Sequence, residues 1–304
     1  MDKYVASAAV ADYAAVSTQN SAFRKRMEDE CVAIPRFRAF QGDAAHSAFF
    51  GVYDGHGGDF CSKFAAQHFH RRLAARLADR HGARRFEAAC SGSSSNSADT
   101  SSSSLDICAD AADTGRGEYD SLSSQDVARS YAEAFAELDA ELEQFDESAA
   151  SGSTAVTCLI RKLHGRTSVH VANVGDSRAV LFADGCTTRL SVDHKATNED
   201  EVRRIRALNG IIFNKRVAGS ISVTRALGQA DEKRFITSAP HVASVELTAF
   251  VRERLETQHS ALAACTQLLD EAKQRGSMDN MTAVLVRFGD ALPAAANASK
   301  AASS

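Results

Sequence analysis

Ala48-Phe49-Phe50-Gly51-Val52-Tyr53-Asp54-Gly55-His56-Gly57-Gly58 is the stretch on which the fold turns. Its first six residues form a continuous apolar run, short enough for a strand buried on both faces. The run stops at a carboxylate followed by a glycine-rich turn. A carboxylate fixed at the end of a rigid strand, beside a turn that leaves backbone oxygens open, suits a hard cation such as Mg²⁺ or Mn²⁺. The same residues also suit a tight turn in which Asp54 caps the following helix.

Outward from this strand the periodicity changes from segment to segment. Apolar residues recur every three or four positions at Val127, Tyr131, Phe135, Leu138, Leu142 and Phe145, which predicts a helix over roughly 125–146. A second helix is predicted over 60–77, and a third through Leu262, Cys265, Leu268, Leu269 and Ala272, stopped near Gly276. Runs rich in β-branched residues predict strands at 155–160, 168–174, 179–182 and 282–288, with hairpin turns at His164-Gly165 and Asp184-Gly185. Strands in meanders with helices in separate blocks argue for a layered, largely antiparallel α+β arrangement rather than βαβ alternation.

The chain has 304 residues, 44% of them hydrophobic, enough for one large core. Residues 91–124 are rich in Ser, Asp and Ala and are predicted to be a disordered insertion; 290–304 reads as a disordered tail, leaving a single domain over 1–289. No apolar run reaches the roughly 18 residues a membrane-spanning helix needs. The seven cysteines are scattered and never spaced as C-x-x-C, which argues for free thiols in a reducing compartment. A net charge of -4 gives no general attraction to nucleic acid. The expectation is a soluble monomer of the cytoplasm or nucleus, with neither membrane nor nucleic acid as partner. Arg71, Arg72, Arg76, Arg80, Arg84 and Arg85 read as a solvated helix face or, alternatively, a docking patch for phosphoproteins.

Two further clusters carry chemistry. Arg24-Lys25-Arg26-Met27-Glu28-Asp29 joins a guanidinium to two adjacent carboxylates, a set able to pair a phosphate with Arg24 and a metal or its water with Glu28; it could equally be a solvated charge run. Ser277-Met278-Asp279-Asn280 places an Asp before the last strand, or forms an ordinary polar turn.

Taken in order, Phe23-Arg24 with Met27-Glu28-Asp29, Gly51 to Gly58, Ser151-Gly152-Ser153-Thr154-Ala155, Ala172 to Ala179, Asp193-His194-Lys195, Arg216 to Gly219 with Ser222 to Gly228, and Gly276 to Thr282 resemble the motif series of the metal-dependent type 2C (PPM) serine/threonine protein phosphatases. The resemblance spans residues from about 20 to 289. It implies an αββα sandwich of two mostly antiparallel sheets flanked by helices, holding two Mg²⁺ or Mn²⁺ ions. It also implies hydrolysis of phosphoserine and phosphothreonine in phosphoprotein substrates by a hydroxide bridging the ions. Carried over by position, Asp54 would bridge both ions, Gly55 would offer a carbonyl, Glu28 would hold one ion through water and Asp279 the other. Arg24 would bind the substrate phosphate, His56 would protonate the leaving oxygen, and Asp176 matches a third, weaker metal position. No cysteine is followed by Arg six positions on, so the C-x₅-R phosphatase signature is absent, which fits a mechanism without a covalent enzyme intermediate.

The chain departs from the series at three places. Thr224 stands for Ser and Gln229 for Asp. More seriously, Pro240 to Ala249 runs directly into Phe250-Val251-Arg252-Glu253-Arg254-Leu255, read as a helix, where the family has a core strand and an Asp-Gly-x-Trp-Asp motif; the chain contains no Trp. One core strand and one metal ligand are therefore expected to be missing and one ion site weakened; Asp231, Glu232 and Glu246 are the other carboxylates at hand, but each lies in a differently placed segment, which argues against substitution. The rival expectation is a pseudophosphatase that binds phosphoproteins without turning them over; a scaffold built on the Ser-rich insertion is a third.

Overall fold

The computed structural model describes residues 9–41, 43, 45–91, 122–183, 186–247 and 260–288. Strands β1 (Asp12–Thr18) and β2 (Asp29–Phe37) lead to β3 (His46–His56), whose middle is the apolar run. Helices α1 (Phe60–Ser91) and α2 (Ser124–Leu142) follow, then strands β4 (Gly152–Ser153), β5 (Ala155–Leu163) and β6 (Arg166–Val174). After them come β7 (Val180–Ala183), β8 (Cys186–Arg189), α3 (Glu199–Ala207), β9 (Ile212–Phe213), β10 (Arg216–Val217) and β11 (Leu227–Gly228). The last elements are β12 (His241–Leu247), α4 (Ala261–Gln274) and β13 (Met281–Arg287).

Strand β3 lies at the centre of a seven-stranded antiparallel sheet, in the order β11-β4-β3-β5-β6-β12 with β2 also on β3. Because successive side chains point to opposite faces, its apolar run feeds two cores at once. Phe49 and Tyr53 face α1 and α2, joining Phe69, Leu73, Tyr131 and Phe135. Ala48 and Phe50 face the other way, joining Val169, Val171 and residues of a second layer. That layer consists, among the described residues, of two separate antiparallel pairs, β1 with β13 and β7 with β8. Outside β1 and β13 lies α4, whose Ala261 and Cys265 pack on Ala14, Val16, Ala283 and Leu285. Helices, sheet, thinner sheet and helix make the expected αββα stack.

Local chemistry sets the element ends. Ser123 and Asp126 form a reciprocal capping box at the start of α2, and Ser260 caps α4. His164 and Gly165 both take positive φ (50° and 77°), as a two-residue hairpin turn with matching twist requires.

Three expectations need correction. Helix α2 stops at Leu142, so Phe145 leaves the apolar stripe and instead meets Phe60 and Phe64, with ring centroids 5.4 Å away in each case. Helix α1 runs past residue 77 to Ser91. Its arginines explain the extension. Arg72, Arg76, Arg80 and Arg84 recur at four-residue steps on one face and pair with Glu141, Glu137, Glu133 and Asp126 of α2. Four of the six arginines thus form an interhelical ladder rather than a purely solvated face, while Arg71 stays exposed to solvent; the side chain of Arg85 lies outside the described residues. So do Asp184-Gly185, all but the edges of the Ser-rich insertion, the segment read as a helix from Phe250 to Leu255 together with the junction before it, and the tail.

Candidate active site

Strand β3 delivers Asp54, Gly55 and His56 to one end of the large sheet. In the β2–β3 ladder Asp29 stands directly across from Asp54, and the Thr282 hydroxyl donates to Asp29 Oδ2 at 2.9 Å. Burial, then the negative charges of Asp29, Asp176 and Asp279, push the Asp54 carboxyl up to about 7. Asp54 thus sits on a strand whose neighbours hold too little positive charge to let it ionise freely. It does not cap a helix: α1 begins only at Phe60.

The next residue is glycine for a steric reason. A Cβ on Gly55 would lie 2.4 Å from the Glu28 carbonyl oxygen and 2.8 Å from Ser62 Oγ. The close crossing lets the Gly55 N–H donate to that carbonyl at 3.2 Å while the Ser62 hydroxyl donates to it at 2.6 Å. Glu28 is thereby pinned beside Asp54. Its own N–H donates to Asn280 Oδ1 at 3.0 Å, which draws in the loop before β13.

That loop carries Asp279. Arg24 Nη2 lies 2.7 Å from Asp279 Oδ1, and Arg24 Nε donates to the Met278 carbonyl at 3.3 Å. On the opposite flank, the exit of β6 carries Asp176, paired with Lys195 Nζ at 2.8 Å.

His56 points its Nε2 at Gln229 Oε1, 3.2 Å away. The amide oxygen is an acceptor, so Nε2 carries the proton in this arrangement. Burial lowers the imidazole pKa, against smaller upward effects from Gln229 and Asp176. Gln229 is held in turn: its N–H donates to the Ser151 carbonyl at 2.7 Å, and the preceding Gly228 N–H donates to Asp139 Oδ1 at 2.9 Å. Asp139 also receives Lys233 Nζ at 2.6 Å.

Arg24, Glu28, Asp54, Gly55, His56, Asp176 and Asp279 therefore gather at one end of the sandwich. Sequence reasoning missed Asp29 as the partner of Asp54, because strand pairing is not local, and missed Asp139. A carboxylate at an otherwise buried position of α2 was the available signal. Glu201 was also missed. It is buried on α3, and although burial pushes its carboxyl up, Arg225 and Arg204 hold it well down; the trio ties α3 to the 224–225 turn. Of the suggested substitute ligands, Glu246 sits five residues along β12 from His241, which pairs with Asn173 near the site, so it lies ~17 Å toward the far end. Asp231 is exposed, its N–H bonded to the Ala149 carbonyl, and Glu232 follows it in the same turn.

Among the described residues no three Asp, Glu, His or Cys side chains stand together as a finished cation cage. The donor set is nonetheless hard oxygen throughout, and Asp54, held up first by burial and then by its acidic neighbours, is a carboxyl whose ionised form a cation would favour. On donor chemistry the residues fit a hard divalent cation.

A family model described as protein phosphatase 2C matches the chain in two overlapping stretches, residues 13–118 and 114–250. "Probable protein phosphatase 2C 32" of Oryza sativa subsp. japonica is 28% identical over 294 residues, covering 87% of this chain. Human protein phosphatase 1F is 27% identical over 301 residues, covering 88%. The chain spans 63% and 55% of the lengths of these two relatives. In three dimensions it is similar to a serine-threonine phosphatase 2C from Toxoplasma gondii, with TM-score 0.63 and 20% identity over 94% of this chain and 98% of that one. This last likeness concerns the fold.

Proposed function

Since the chain belongs to the protein phosphatase 2C family, we propose that it hydrolyses phosphoserine and phosphothreonine esters of proteins at the end of β3. The observation that carries this reading is the convergence of Arg24, Asp54 with Asp29, and Asp279, which lie far apart in sequence, around a carboxyl held near 7. Asp54, the Gly55 carbonyl, Glu28 and Asp279 would hold Mg²⁺ or Mn²⁺, with Asp176 as a weaker position. A divalent cation bound there supplies Lewis acidity and lowers the pKa of water.

The protein's own groups do the rest. Arg24 orients the phosphate through the N–H groups that Asp279 and Met278 leave open. His56 is neutral when alone; a phosphate dianion beside it raises its proton affinity, so that it can protonate the leaving Ser or Thr oxygen. Gln229 aims the ring, and Asp139 holds the turn that carries Gln229.

A second reading, binding of phosphoproteins with impaired turnover, is favoured by particular features. The chain lacks the Asp-Gly-x-Trp-Asp motif and has no Trp, and the second family match stops at residue 250, where the motif is expected. Phosphopeptide hydrolysis with Mn²⁺ and Mg²⁺ titrated separates the two. Loss of turnover in Asp54→Asn with saturable metal dependence supports hydrolysis. Phosphopeptide binding without turnover at any metal concentration supports the binding module. Neither binding nor turnover defeats both.

A further inference from the structure

Two loops meet at the rim of the site and are tied by polar groups. Asn20 Nδ2 donates to the carbonyls of Ser277 (2.9 Å) and Asp279 (3.2 Å), and Asn280 Nδ2 donates to those of Gln19 (2.8 Å) and Arg26 (3.0 Å). Arg24 Nε bonds the Met278 carbonyl, and the N–H groups of Phe23 and Arg24 close a turn on the Asn20 carbonyl. A platform held this firmly has no need of apolar side chains, yet it presents two to solvent. Phe23 is 60% exposed and Met278 63% exposed, among the most exposed large apolar residues described. Each is a chain neighbour of one member of the Arg24–Asp279 pair. Lys25 and Arg26, also exposed, complete a rim that is cationic and apolar together.

We propose that Phe23 and Met278 form an apolar shelf that receives a large apolar side chain next to the phosphorylated residue of a peptide whose phosphate lies on Arg24. This rests on the proposed phosphate-binding role of Arg24 and adds the substrate class to it. The argument is one of reach. An extended peptide advances about 3.3 Å per residue, so with its phosphate on Arg24 the residues immediately beside the phosphoresidue pass over the neighbours of Arg24 and Asp279. Because the backbone that carries both side chains is already tied down, covering them does not also require that the two loops be ordered. Covering some of a leucine-sized side chain there corresponds to a preference of about five- to tenfold in Kd over serine.

The test uses the full chain with Mn²⁺ and non-hydrolysable phosphonate peptides differing only in Leu or Ser next to the phosphoresidue, read by fluorescence anisotropy. The Leu peptide should bind about five- to tenfold tighter, and the Phe23→Ser/Met278→Ser double variant, with its melting temperature checked, should bring the ratio to near one. A ratio near one in the unaltered protein, or one that survives the double substitution, overturns the shelf. So does gel filtration showing that the double substitution dissociates a dimer, since the surface would then be a contact between copies. Peptides lacking the phosphonate measure the other premise. If they bind as tightly as the phosphonates, the role of Arg24 fails, while the Leu-to-Ser ratio still reports on the shelf.

Discussion

The two halves of strand β3 differ sharply in what they carry. In the first, Ala48, Phe49 and Phe50 are at most 2% exposed and packed on both faces. In the second, Asp54 faces Asp29 across the ladder, and a glycine and a histidine follow where further apolar residues would have strengthened the fold. The first half confers the stability that lets the second hold like charges together. The site residues are thus kept in place by apolar contacts made one or two turns of the pleat away.

That contrast can be broken first at its apolar end. Phe49→Ala should cost about 3–5 kcal/mol in urea unfolding, since it opens the core shared by α1, α2 and the sheet. A cost below ~1 kcal/mol would mean that the first half does not anchor the second.

The charged end should respond with the opposite sign. The Asp54 pKa is raised in the fold, so its stabilising contribution is complete below the unfolded value near 3.8 and is lost as pH rises through about 7. In EDTA at pH 8, Asp54→Asn should therefore stabilise the protein by about 2 kcal/mol, and the gain should vanish below about pH 4. If the variant is less stable at pH 8, the carboxylate cluster is not a source of strain.

Elsewhere in the same sheet the pH dependence should reverse. His170, bonded through its two ring nitrogens to Ser244 and Ser168, is pushed down to about 4 by burial and by Arg161. Its contribution is present above the unfolded pKa near 6.5 and is lost as pH falls through about 4. Chemical denaturation between pH 7 and 4 should show a decline of about 1–2 kcal/mol from this group, with a shallower slope in His170→Asn. Equal slopes would assign the acid sensitivity to other groups, buried His194 first among them.

The smallest effect belongs to the helices behind the sheet. Arg80→Ala removes one half-exposed rung of the α1–α2 ladder and should cost less than ~1 kcal/mol, a difference largely erased at 1 M salt. A larger, salt-insensitive loss would show that the ladder, not the apolar seam beneath it, positions the helices.

Much of this was legible in the sequence because it is local. The apolar run to Asp54, the stripe from Val127 to Leu142 and the His164-Gly165 turn depend on near neighbours, and each is an element of the fold. What was not legible depends on pairing between distant segments. Nothing near Asp29 says that it will face Asp54, and the arginines of α1 look like a solvated stripe until Glu133, Glu137 and Glu141 are brought alongside. Gln229 stands out in the sequence as a departure, but its contact with His56 depends on the β4–β11 pairing.

The pairing of β1 with β13 has a mechanical consequence. Asp12 is opposite Arg287 and Thr18 opposite Met281, so tension applied through the two ends of the chain loads the ladder at its Asp12 end. Antiparallel strands pulled this way separate rung by rung, as a zipper does, rather than shearing all their bonds together. The opening would travel toward Thr18 and Met281, and the loops that carry Arg24 and Asp279 lie beyond the last rung. Under a weak pull the molecule would fray from the edge remote from its chemistry, and the Arg24–Asp279 contact, with the asparagine ties beside it, would be loaded only after the ladder had opened.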